Sequence, residues 1–363
     1  MSDTLTTAPA PAPDTSKTIA AVPKGRTGAA RILLGRDAIM IYVLIAFVVY
    51  ASIAIPRFAS PVTVGFLLLD VIPVLLIALP MTLVIITGEI DLSVASIAGL
   101  TSALMGVLWA AGWDIGVVLL VSLLAGVVAG AFNGFLVAVV GLPSLAVTIG
   151  TLALFRGLAL VVIGDNAVAN FPPELTSFVT SKIGGTGIPT VMIGVVILAL
   201  FFGVLLHMTP FGRGLYALGF SREAATFVGI TVNRAKFWLY VGTGSVSALA
   251  GIYWTLRYSS ARSDNASGLE LTVIAAVLLG GVSIFGGKGS IPGVIAGVLL
   301  IGTINYALRL GRISDVVLII VTGSLLIASV VAPSVFDALK RWQHDRRVRR
   351  SLPQAALGTQ PTP

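Results

Sequence analysis

Apolar runs of about twenty residues, separated by short polar or glycine- and proline-rich breaks, repeat along this chain without the period-two alternation of a membrane barrel. Ten such runs can be placed: 38–55, 62–87, 94–111, 115–140, 144–163, 189–207, 237–256, 271–285, 291–308 and 313–332. At about twenty residues per run they suit helices that cross a bilayer, and a lipid-embedded backbone must satisfy its own hydrogen bonds. The expected fold is therefore an all-α polytopic membrane protein with about ten transmembrane helices. The second run contains Pro73 and Pro80, which remove backbone donors, so a kinked or broken helix is expected there. Asp70 followed by an apolar run and Gly88–Ser93 is echoed weakly by Glu270 followed by an apolar run and Gly286–Ser290. Such an echo suits two inverted five-helix repeats, an arrangement common in transporters.

The breaks carry the polar chemistry. The longest polar interruption between runs, 209–236, contains a helix signal of about two turns: Ser221 as N-cap, Glu223 in the first turn, Ala224 and Ala225 as helix formers, Gly229 as a stop. So short a helix is marginal alone and needs something to dock on. It is either the grip for a soluble partner or a solvated, basic connector flanked by Arg213, Arg222, Arg234 and Lys236. Residues 1–36, rich in Ala, Pro and Thr and lacking an apolar core segment, read as a disordered cytoplasmic tail. Residues 37–333 form the membrane domain and 334–363 a basic cytoplasmic tail.

Composition agrees: 56% of residues are hydrophobic and only 10% charged, against about 25% charged in soluble domains. The net charge of +8 does not mark a nucleic-acid binder, because the basic residues gather at span ends and tails. With both termini inside, sixteen basic residues fall on the cytoplasmic side and six on the other, and Arg156 lies within a span. That asymmetry orients ten spans with both ends in the cytoplasm. Cysteine is absent, and the two histidines, His207 and His344, have no metal-site spacing.

Several residues could act in a pathway or merely support the fold. Arg156 is either a pathway or gating residue or the partner of a carboxylate such as Asp91. Glu89, Asp91 and Ser93 either bind substrate hydroxyls or start the third span. Asp70 and Asn133 are further pathway candidates. Gly126, Gly130 and Gly134, at four-residue spacing, form a smooth stripe for a neighbouring helix. Gly287-Lys288-Gly289 superficially suggests a phosphate loop, but Val282 stands where the first glycine is needed and Gly289 replaces the hydroxyl residue. Nucleophile–base motifs of hydrolases are missing as well.

Four stretches together, TGEIDLSVASIAGL (87–100), AGAFNGFLVAVVGLPSLAVTIGTLALFRGLAL (129–160), FGRGLYALGFSREAATFVGI (211–230) and LELTVIAAVLLGGVSIFGGKGSIPG (269–293), resemble the permease subunits of bacterial ABC importers for monosaccharides. The resemblance is to the ribose/xylose/rhamnose branch, which includes autoinducer-2 permeases, and spans roughly residues 40–332. It implies an inner-membrane channel subunit that pairs with a second permease, identical or homologous. Two cytoplasmic ABC ATPases would carry ATP and Mg, none being bound by this chain, and a periplasmic sugar-binding protein would deliver solute. Ser221, Glu223, Ala224, Ala225 and Gly229 fall on the family's ATPase-docking helix. The segment 88–93 departs from the family's frequent Gly-Gly-Ile-Asp-Leu-Ser at Glu89, and 260–268 is closer to rhamnose or autoinducer members. An ion-coupled secondary transporter using Asp70, Asp91 and Arg156 is the alternative reading.

Overall fold

The computed structural model describes residues 35–331 apart from 228, 230 and 315, together with 335 and 342; the tails expected at 1–36 and 334–363 lie almost wholly outside them. Local chemistry sets the helix boundaries. Ser60 accepts the Thr63 amide ahead of Pro61, Asp114 accepts the Gly116 and Val117 amides, and Ser290 accepts the Gly293 amide ahead of Pro292. These caps open α2 (Pro61–Ile86), α4 (Ile115–Gly134) and α12 (Ile291–Leu310). The others are α1 (Arg36–Ala54), α3 (Val94–Ala110), α5 (Ser144–Ile163), α6 (Pro173–Thr180), α7 (Met192–His207), α8 (Pro210–Phe220), α9 (Arg222–Phe227), α10 (Val232–Tyr258), α11 (Leu269–Leu279) and α13 (Val316–Val331). A π turn, Phe135–Val139, extends α4. The one small sheet among the described residues pairs β1 (Val168–Ala169) antiparallel with β2 (Ser260–Ala261).

Apart from that ribbon, the regular elements among the described residues are all helical. Five helices, α1, α2, α4 with its π turn, α5 and α12, are long and apolar enough to cross a membrane alone. The pair α7 and α8, bent by 66°, makes a sixth. Helices α3, α11 and α13 are apolar but shorter.

The central rod is α2, apolar all round and buried on every side from Val71 to Ile86, packed by α10, α11 and α12. By contrast α1 leaves most of its apolar side chains exposed. Of the kink or break expected at Pro73 and Pro80, the break does not occur: α2 runs unbroken through both prolines. Pro73 cannot donate to the Leu69 carbonyl, and the Tyr253 hydroxyl of α10 donates to it instead at 2.6 Å. Tyr253→Phe is expected to strand that buried carbonyl and destabilise the protein by about 1–3 kcal/mol. Thermal unfolding in detergent with an unchanged midpoint would refute this role.

The glycine stripe on α4 meets α10. A Cβ on Gly126 would lie 2.3 Å from the Ala248 Cβ, on Gly130 2.3 Å from the Tyr240 carbonyl oxygen, and on Gly134 2.9 Å from the Phe237 carbonyl oxygen. The segment 209–236 differs from its expected form. It is not a loop with one short helix: Thr209 caps α8, α9 follows after Ser221, and α10 already begins at Val232. Gly212 and Gly219, which suggest a break in sequence, permit close approach to the Leu206 and Ile86 carbonyls.

Candidate functional site

Between α2 and α3 the chain has no regular structure from Glu89 to Leu92, and Glu89, Ile90 and Asp91 are each held by a neighbouring helix. Asp91, fully buried, accepts the Ser93 amide (3.0 Å) and hydroxyl (2.6 Å) on Oδ1 and the Thr243 hydroxyl (2.9 Å) on Oδ2. Asn133 of α4 donates to the Ser93 oxygen at 2.7 Å. The Ile90 amide donates to Ser144 (3.3 Å), and the Ile90 carbonyl accepts from Thr148 (3.3 Å) and Tyr240 (3.4 Å). Asp91, Ser93 and Asn133 therefore come together, but in a dry knot joining α3, α4 and α10. Their polar atoms are largely committed to one another, and the Ser93 side chain does not cap α3.

Glu89 points the other way. It forms an ion pair with Lys236 in the second turn of α10. The pair lines a groove of about 420 Å³ whose other walls include Gly141, Leu142, Arg222 and Asn233. Arg222 of α9 donates to Asn233 at 2.8 Å, so the groove joins the linker to the segment carrying α9.

Six residues long, α9 is seated by packing among Ala225, Leu218 and Val232. Ser221 precedes it, as expected of a cap, and Gly229 follows with φ of 79°. Glu223 is fully exposed; hydrogen bonds from its own backbone amide and from the Ser221 hydroxyl hold its carboxyl below the usual range. Ala224 falls within the helix. Ala225 is completely buried, which turns it away from any docking partner, whereas Phe227 is 93% exposed. Near α9 the Gly286–Gly289 turn supports α8. The Gly287 amide donates to the Ile86 carbonyl at 2.8 Å, and Tyr216 donates to the Gly289 carbonyl at 2.7 Å. This accounts for the glycines around Lys288 without a phosphate. His207 accepts the Ile291 amide at 3.3 Å, and no group of three or more His, Cys, Asp or Glu residues that could hold a metal occurs among the described residues.

Arg156 is not the partner of Asp91. Its guanidinium donates to the carbonyls of Ser263 (2.6 Å), Asn265 (2.9 Å) and Ala95 (3.3 Å). Asn265 also donates to Ser102, at the middle of α3, so the 259–268 loop reaches well into the bundle. A charge that would be costly inside a span is thus held by the carbonyls of an inserted loop. Asp70 lies elsewhere, at the junction of α2, α10 and α12, with Arg309 at 3.5 Å, Arg257 at 3.9 Å and the Tyr258 hydroxyl at 3.5 Å. Asp70, Asp91 and Arg156 therefore belong to separate clusters. Sequence reasoning missed Lys236, Thr243 and Tyr240, whose only local signal is their shared helical face.

The model for the family described as "Branched-chain amino acid transport system / permease component" matches residues 63–330. A relative named "Autoinducer 2 import system permease protein LsrD" from Photorhabdus laumondii is 34% identical, over 84% of this chain and 94% of the relative. Proteins of the same name from Salmonella paratyphi A (34%, over 82% of this chain and 90% of the relative) and Klebsiella pneumoniae (33%, over 84% and 93%) are similarly close. No solved structure matches the chain significantly. In this family nucleotide chemistry resides on the partner ATPase and the permease needs no cofactor of its own. A bundle of apolar helices, with a short helix seated beside the linker into its core, has the form of a transport subunit rather than an enzyme, and the chain belongs to this family of permease components as a multi-pass membrane subunit of a bacterial ABC importer.

Proposed function

We propose that this subunit moves a small hydroxylated solute, a monosaccharide such as rhamnose or ribose or the autoinducer-2 named for its relatives, from a periplasmic binding protein to the cytoplasm. The observation that carries the reading is α9: six residues, anchored by Ala225 on one side, presenting Arg222, Glu223, Thr226 and the exposed Phe227 on the other. A helix too short to stand alone, packed on one side with an apolar side chain in the open on the other, suits a grip for an ATPase. In this reading α9 and both termini are cytoplasmic. Ten spans arise when α3, α7, α10, α11 and α13 join the other five, in two inverted halves, and a second permease, identical or homologous, completes the channel within the lipid bilayer of the inner membrane. ATP binding draws the ATPases together, and the bundle responds through α9. Such a shift is limited by the difference in affinity for the two states.

The test is uptake of labelled rhamnose, ribose and autoinducer-2 by cells expressing this chain with its ATPase and binding protein. Uptake of one of the three should stop when ATP is depleted and persist when an ionophore collapses the ion gradients. Uptake with the opposite dependence would replace this reading with an ion-coupled carrier.

A further inference from the structure

Three consecutive residues of the α2–α3 linker are held by one face of α10. Glu89 pairs with Lys236, the Ile90 carbonyl accepts from Tyr240, and Asp91 accepts from Thr243. Positions 236, 240 and 243 are spaced by four and three, the spacing of a single helical stripe. The stripe begins in the second turn of α10, a few residues after α9, and ends at the buried knot that fixes the start of α3. Opposite it, Ser144 and Thr148 of α5 hold Ile90, so the linker is clasped between α5 and α10.

The three rungs differ in kind. Tyr240 and Thr243 are buried and neutral, and contribute to packing wherever α10 sits. Glu89 and Lys236 are charged and only partly buried, with side chains 15% and 17% exposed, and they line the groove that Arg222 of α9 also borders. An ion pair in that position is a directional link. It resists separation of linker and α10 more than apolar contact does, and its two ends can be exchanged.

We infer that the Glu89–Lys236 ion pair is a positioning element for transport: it makes the start of α3 follow the α9-bearing end of α10, so that movement at the ATPase reaches the core of the bundle. The inference rests on the importer reading above. Glu89 and Lys236 touch neither solute nor nucleotide in this role; they act through Asp91 and α3.

The experiment compares wild type, Glu89→Lys, Lys236→Glu and the double exchange, each in the complete complex with its ATPase and binding protein. It uses whichever of rhamnose, ribose or autoinducer-2 the wild type transports. Each single exchange should lower solute-stimulated ATP hydrolysis and uptake about tenfold or more, with the ATPase still co-purifying, and the double exchange should recover most of both. Recovery by the reversed pair is the signature that simple loss of packing would not produce. Singles that transport like wild type, or a double no better than the singles, would overturn the inference. If the reversed charges prevent accumulation, Glu89→Gln and Lys236→Gln are measured instead. Loss of accumulation in these too would assign the pair to folding and overturn the coupling role. Wild-type uptake indifferent to ATP would sink the importer reading and this inference together, whereas ATP-driven wild-type uptake with unimpaired single variants sinks this inference alone.

Discussion

Gly130→Val is expected to remove nearly all of the protein from the membrane. At this crossing the backbones of α4 and α10 touch: a Cβ on Gly130 would sit 2.3 Å from the Tyr240 carbonyl oxygen and 3.0 Å from the Cα of Gly244. Gly244 is equally committed, its own Cβ position lying 2.4 Å from the Gly126 carbonyl oxygen. Overpacking typically costs about 1–3 kcal/mol when side chains can yield. Here the obstacle is main chain, and relief requires parting two helices along the whole stripe, which also pulls Thr243 from Asp91 and Asn133 from Ser93. Gly242→Val is the control, because nothing lies within 4 Å of its Cβ position on the same helix. Membrane abundance and a monodisperse profile in detergent are the readouts. Accumulation of Gly130→Val at the level of Gly242→Val would show that the crossing is not close-packed.

Phe227→Asp should have the second largest effect, on transport rather than on folding. Its ring is 93% exposed, so the protein loses little packing and should accumulate normally. A buried aromatic anchor at an interface is commonly worth 2 kcal/mol or more, so affinity for the ATPase should fall by about thirtyfold and ATP-driven uptake with it. The checks are co-purification of the ATPase and uptake in the same preparation. Normal values of both would move the docking surface away from α9. Ala225→Trp is a poorer probe: Ala225 is enclosed by Leu218 and Val232, and a bulky ring there would unseat α9 before any partner was met.

Much of the helical layout was legible because each span is announced by its own neighbours in sequence. Ser60-Pro61, Asp114 and Ser290 with Pro292 cap helices through contacts three residues long, and α5 begins and ends where its apolar run does. The glycine stripe was equally readable, since a four-residue period is a property of one helix. What escaped was whatever depends on a distant part of the chain. The helix α8 was hidden by Gly212, Gly214 and Gly219, residues that lower helix propensity, although Gly212 and Gly219 are required where α8 meets carbonyls of α7 and α2. Glu89 looked like a solute-binding or span-starting carboxylate until Lys236 stood opposite it. Arg156 seemed to need a counter-charge, and loop carbonyls served instead. Pro73 seemed to break α2, and a tyrosine on another helix repaired it. Residue type alone carries no information about such long-range partners.

The inserted 259–268 loop has a consequence for how its flank of the bundle meets the bilayer. It meets α3 at Ser102, midway along a helix of seventeen residues, and the α11 that follows has only eleven, a rise of about 17 Å against a hydrocarbon layer of about 30 Å. Along that flank α11 alone covers little more than half of the hydrocarbon depth, so the Ser263 and Asn265 carbonyls of the inserted loop rely on the Arg156 guanidinium in place of water.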